Sequence, residues 1–213
     1  MNDVDEDVLA GRRRTWMVGG LLLLTTGLAW TLSELGIAPL GLLGLVTEPL
    51  AFIVFAIGLG REGSVTARHP VGTIALAGLG VLVVAQPLVR MMLNGMPMGE
   101  GPQASEQYAV MHQNVGIALD VTALVLAVVA AVAIVMAGVV PSPWRWLPVV
   151  ALIVALIARA LPLLRHGPLT MDALLTVLRT ANLLNPLMLL ILGAAAVVLA
   201  ARSLSRLPIS TVA

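Results

Sequence analysis

The chain has 213 residues, 59% of them hydrophobic and only 11% charged, with a formal net charge of +1 and a mean hydropathy of +1.01. A soluble domain carries about a quarter charged residues, so this composition suits a bilayer, and the near-neutral charge gives no reason to expect nucleic acid. Cysteine is absent and all 12 basic residues are arginine, which excludes disulfides, thiolate metal sites and c-type haem attachment, and also lysine Schiff bases and phosphate-loop lysines.

Residues 1–15 read as a cytoplasmic tail, acidic from Asp3 to Asp7 and basic at Arg12, Arg13 and Arg14. The apolar run that follows is long and has no small-x-small site close behind it, so it reads as a retained helix and not a cleaved signal. Six apolar stretches are long enough to span a bilayer, at 16–34, 39–60, 71–92, 114–139, 144–164 and 181–201. The links are short except for 94–112, which is rich in Gly, Pro and polar residues, and 165–180. The second contains Thr170-Met171-Asp172, a helix N-cap with an acidic first turn. It predicts a helix that begins there and runs into the sixth stretch. Residues 202–213 form a second cytoplasmic tail.

Only helices and closed barrels satisfy backbone hydrogen bonds in lipid, and these runs are too long and alternate too little for barrel strands. The predicted fold is therefore all-α, a polytopic integral membrane bundle of about six transmembrane helices. Arginine placement orients it. Arg12, Arg13, Arg14, Arg61, Arg68, Arg145, Arg202 and Arg206 fall on one side; Arg90, Arg159, Arg165 and Arg179 fall on the other. The expectation is a multi-pass protein of the cytoplasmic membrane with both termini inside.

Glu48 is the most informative position. The apolar run after it is about a dozen residues, or roughly 18 Å of helix, too short for roughly 30 Å of hydrocarbon. The span must include the residues before Glu48, which places an acid next to Pro49 inside the membrane. Such a residue is by default a functional candidate. At 1.5 Å per residue from the cytoplasmic ends, Glu48 lies roughly 18 Å deep, Arg159 20 Å, Gln86 22 Å, Asn185 24 Å, and Arg90 and Asp120 about 28 Å. Depth alone pairs Glu48 with Arg159 and Asp120 with Arg90. Gly41 and Gly44 share a face with Glu48, Gly116 and Ala123 with Asp120, and Ala151 and Ala155 with Arg159. Small residues at that spacing mark helix contact. Arg90 can also snorkel to the interface, as can Arg159 past Pro162, and Asp120 fits an interfacial placement because its helix is long enough to span without it. A re-entrant segment over 39–47, with Thr47 as cap and Pro49 at the first helical position, is a second reading of the Glu48 region. Gln86-Pro87 and Asn185-Pro186 repeat the polar-proline pairing, and discontinuous helices of this kind build transporter sites.

Two further groups are weaker. Met91, Met92, Met96, Met98, Met111 and His112 cluster around the long outer link with ligand types suited to Cu(I), or as apolar filling. His112, His166 and His69 do not supply two haem ligands at matching depth. No cofactor is predicted. The leading functional expectation is transport or permeation of a small solute or ion through the substrate-binding set Glu48, Arg159, Gln86, Asn185, Asp120 and Arg90. The alternatives are a non-catalytic membrane subunit or assembly factor, with a membrane-protein partner or a second copy of the chain, and an enzyme acting on a lipid-soluble substrate. No recognisable catalytic grouping favours the last.

Overall fold

A computed structural model describes residues 3–59, 63–95, 102–161 and 170–202. Among them are six α-helices and no strand: α1 (Asp3–Glu34), α2 (Gly41–Ile57), α3 (Pro70–Asn94), α4 (Pro102–Ala137), α5 (Leu147–Ala160) and α6 (Met171–Arg202). A short 3₁₀ turn at Trp144–Trp146 leads into α5. Four helices, α1, α3, α4 and α6, are long and apolar enough to cross a membrane. The other two are shorter. α2 has 17 residues and α5 has 14, about 25 and 21 Å of helix.

Each helix packs against its neighbours in sequence, and α6 returns to pack against α1. Six antiparallel helices thus close a ring in the order α1-α2-α3-α4-α5-α6. Chain-neighbour packing follows from the short links. Closure depends on glycine. A Cβ at Gly193 would come within 2.8 Å of the Gly20 carbonyl oxygen and the Leu24 amide nitrogen, and one at Gly20 within 2.9 Å of the Gly193 oxygen. The backbones of α1 and α6 therefore meet directly, as small residues allow in membrane helices. The α4–α5 seam is the thinnest in the ring.

The outer faces of the helices are apolar. Leu42, Ile74 and Met136 are 78%, 68% and 80% exposed, a surface that water would penalise and lipid would not. Among the described residues, the polar side chains buried as a whole are hydroxyls: Thr15, Thr26, Thr47, Ser64 and Thr66. Thr26 Oγ1 of α1 lies 2.7 Å from Thr47 Oγ1 of α2, and each hydroxyl also approaches the carbonyl four residues back in its own helix, Leu22 and Leu43, at 2.8 Å. Two hydroxyl protons serve three contacts, so one carbonyl is released at any moment. At the α2–α3 connection the donor order is fixed. Ser64 donates to the Ala56 carbonyl, so Thr66 must donate to Ser64 and Thr73 to Thr66, at 2.7, 2.9 and 3.0 Å. Beside them, Thr15 Oγ1 accepts from the Leu59 amide at 2.6 Å and so ties α1 to the chain just beyond α2.

Several sequence expectations change. The link over 94–112 is largely helix: α4 opens on Pro102, and the Tyr108 hydroxyl donates to the Leu93 carbonyl at 2.8 Å, tying α4 to the end of α3. Pro49, Pro87 and Pro186 lie inside continuous helices, so none of the three polar-proline pairs breaks its helix. Glu48 accordingly sits in a helix interior; Thr47 binds its own helix and Thr26, and is not a cap. The predicted start at Thr170 is found, with the Ala173 amide donating to Thr170 Oγ1 at 3.3 Å and Asp172 in the first turn.

Candidate functional site

The ring surrounds a partly open cavity of about 280 Å³ to which all six helices contribute. Its wall includes Trp16 and Leu23 of α1, Phe52 and Phe55 of α2, Leu76 and Leu79 of α3, Ala127 and Ile134 of α4, Pro148 and Ala155 of α5, and Asn185 and Leu199 of α6. Almost the whole wall is hydrocarbon; Asn185 contributes its one amide. The chamber reaches toward the end of the ring where α1 begins, here the lower end.

Helical phase extends these lining faces upward. Residues seven apart differ by about 20° around a helix, and residues four apart also share a face. Trp30 lies seven beyond Leu23, Glu48 four from Phe52, Gln86 seven beyond Leu79, Asp120 seven from Ala127, and Arg159 four beyond Ala155. Because alternate helices run in opposite directions, every one of these steps leads to the same, upper end. Arg90 stands one turn above Gln86 on α3. Helical phase therefore sets Trp30, Glu48, Gln86, Asp120, Arg159 and Asn185, one from each helix, at the chamber's upper end, about 6–11 Å above its lining for those that do not line it directly.

The pairings within this rim differ from the depth-based expectation. Arg159 Nη1 pairs with Asp120 Oδ1 at 2.5 Å across the α4–α5 seam, and not with Glu48. Both side chains are about half exposed, at 54% and 41%. Glu48 instead accepts a hydrogen bond from Trp30 Nε1 at 3.1 Å. The cause is ring order. α2 touches α1 and α3, and α5 touches α4 and α6, so the neighbours of Glu48 come from α1 and α3. Gly44 makes the Trp30 contact possible: a Cβ there would lie 2.8 Å from the indole nitrogen. Arg90 is exposed, and no contact joins it to Asp120. Gln86, Arg90 and Asn185 carry no side-chain hydrogen bond or ion pair among the described residues. Further out, Asn182 Nδ2 of α6 reaches Glu34 Oε2 of α1 at 3.5 Å.

Trp30 was not among the sequence candidates. Its signal was the seven-residue spacing Trp16-Leu23-Trp30, readable only once Leu23 was known to face a chamber. Of the thioether group, Met91 and Met92 are 69% and 68% exposed at the end of α3, and His112 stacks against Tyr108 with ring centroids 5.1 Å apart. Met96, Met98 and His166 lie outside the described residues. Among the described residues no three His, Cys, Asp or Glu side chains converge as metal ligands. No protein-family model, no curated protein and no solved structure matches this chain.

Proposed function

We propose that this protein is a six-span integral membrane protein of the cytoplasmic membrane, with both termini inside, and that it carries a small molecule bound at the chamber mouth. The observation that supports this most is the coincidence of polar groups from six helices above one partly open chamber. Intramembrane polar residues face interiors and mark pathways. The sixfold span count draws on flanking residues: α2 with 39–59 has 21 residues and α5 with its 3₁₀ turn has 17, within the spanning range of about 17–25. Orientation rests on Arg12, Arg13, Arg14, Arg68, Arg145 and Arg202 at the lower end against Arg90, Arg159 and Arg179 at the upper. Arg145 over Trp146, at 5.7 Å, and Arg202 near Trp144, at 6.0 Å, resemble an interfacial belt at that lower end.

A hydrated ion entering the lower half would find hydrocarbon walls and few ligands. The cargo reading therefore narrows to molecules with an apolar body. Glu48 is the rim carboxylate without an ion-pair partner among the described residues, and its exchange for Gln retains a carbonyl to accept the Trp30 N–H. Uptake of radiolabelled solutes into proteoliposomes tests this, with a panel of apolar-bodied solutes from short-chain acids and alcohols to ten- and twelve-carbon alcohols, and with sugars and amino acids as hydrophilic comparisons. Saturable uptake of at least one class, reduced at least tenfold by Glu48→Gln in folded protein, is the expected result. Folded wild-type protein that takes up no member saturably would refute the carrier reading.

A further inference from the structure

We propose that the chamber and its rim together bind a linear amphiphile with an uncharged, hydrogen-bonding head and an apolar tail of about ten to twelve carbons, head at the upper mouth and tail toward the lower end. This specifies the cargo of the site described above and rests on that site being the binding site.

Tail length follows from volume. A dry apolar cavity of about 150 Å³ accepts one benzene ring. A chamber of about 280 Å³ accommodates roughly twice that body, hence about ten to twelve carbons. Its wall cannot satisfy a polar tail, because a polar group buried without a hydrogen-bond partner is strongly disfavoured. Orientation follows from the asymmetry of the ends: Asn185 stands at the upper end of the wall, while Ile134 and Leu199 line the lower.

Head chemistry follows from which rim groups remain uncommitted. The rim carries Glu48 and Asp120 against Arg90 and Arg159, so its formal charges cancel. Asp120 and Arg159 neutralise one another at 2.5 Å, and Glu48 is engaged by Trp30. The amides of Gln86 and Asn185 have no hydrogen-bond partner among the described residues. Each offers both donors and an acceptor. A hydroxyl, which also donates and accepts, complements the Asn185 amide at the wall or the Gln86 amide above it; Glu48 and Arg90 have no ion-pair partner among the described residues but carry opposite signs, so the rim offers no net charge to a charged head.

The test is binding to the full chain in nanodiscs, read by tryptophan fluorescence, since Trp16 and Trp144 line the chamber. The probe is 11,12-dibromododecan-1-ol, whose tail bromines quench indoles on contact. Saturable quenching is expected, reversed by plain dodecan-1-ol. Dodecanoate and dodecyltrimethylammonium should displace it at least about tenfold more weakly. Asn185→Leu and Gln86→Leu should each weaken binding about five- to tenfold, the scale of one lost hydrogen bond. They should leave helical content and unfolding unchanged, because neither amide bonds within the fold. The double variant Ala127→Leu/Ala155→Leu fills the wall and should abolish saturable quenching while circular dichroism stays native. Quenching that rises linearly and ignores the wall variant would show bilayer partitioning only and overturn the proposal, as would tighter binding of either charged twelve-carbon probe. Saturable binding without uptake would refute the carrier reading and leave this one standing; uptake of a hydrophilic solute without alcohol binding would do the reverse.

Discussion

Replacing Gly193 with alanine tests whether the ring closes as described. A Cβ there would lie 2.8 Å from both the Gly20 oxygen and the Leu24 nitrogen and 3.0 Å from Leu24 Cγ. Two of the three neighbours are backbone, so no rotamer change relieves the clash. The helices must separate by several tenths of an ångström or more along the α1–α6 contact. Overpacking of this kind costs about 1–3 kcal/mol, and a rigid backbone wall places Gly193→Ala in the upper part of that range. The intrinsic gain of alanine over glycine in a helix returns about 1 kcal/mol, leaving a net loss of about 1–2 kcal/mol. Gly116→Ala is the matched control, because Gly116 lies within α4 and a Cβ there has no neighbour within 4 Å. It should gain about 0.5–1 kcal/mol. Reversible unfolding in mixed micelles titrated with SDS, followed by circular dichroism, measures both. The expected outcome is opposite signs, separated by about 2–3 kcal/mol. Equal shifts, or a neutral Gly193→Ala, would mean that α1 and α6 do not meet backbone to backbone and that the ring is open.

Three further substitutions probe the polar contacts. Trp30→Phe keeps an aromatic ring against Gly44 but removes the N–H that Glu48 accepts; a loss of about 1–3 kcal/mol is expected, and Glu48→Gln added to it should show non-additive coupling in a double-mutant cycle. Thr66→Val removes the middle hydroxyl of the Thr73–Thr66–Ser64–Ala56 chain at a fully buried position, and should destabilise by about 1–3 kcal/mol, read from the same SDS titration. The Asp120–Arg159 pair is half exposed, so after allowance for screening its coupling energy in an Ala/Ala cycle in detergent should stay below about 1 kcal/mol; a value above about 2 kcal/mol would indicate a dry pair and contradict an open mouth.

Much of the helical content was legible because apolar runs of this length have few alternatives. The start of α6 was legible from Thr170 and Asp172. The start of α4 was not: residues 102–112 lack an apolar face strong enough to announce a helix, and the tie from Tyr108 to the Leu93 carbonyl is a tertiary contact. The partner of Arg159 was misjudged for a different reason. Depth arithmetic is one-dimensional. It ranks residues by height but contains no information on azimuth around the bundle, and errors at helix ends of a turn or so exceed the height differences it compares. Ring order supplies the missing coordinate. Arg159 on α5 meets α4, so Asp120 was its accessible carboxylate, although Glu48 stood nearer in estimated height.

The same geometry explains why the charged and amide side chains in phase with the lining faces gather at one end, opposite the hydroxyl network of Thr15, Ser64, Thr66 and Thr73. In an antiparallel ring, a residue displaced toward the upper end is reached by moving forward along α1, α3 and α5 and backward along α2, α4 and α6. Trp30, Gln86 and Arg159 follow the lining residues of their helices; Glu48, Asp120 and Asn185 precede most of theirs. Six independent segments would have to share that sign by accident if each polar residue served only its own helix. A common requirement accounts for it more economically. Polar groups inside a bilayer are tolerated where they face one another or a wet cavity, and a chamber that stays apolar below cannot host them there. The rim is thus the level at which the interior changes from hydrocarbon to hydrogen-bonding, and a bound molecule that lies across that level must change character along its own length.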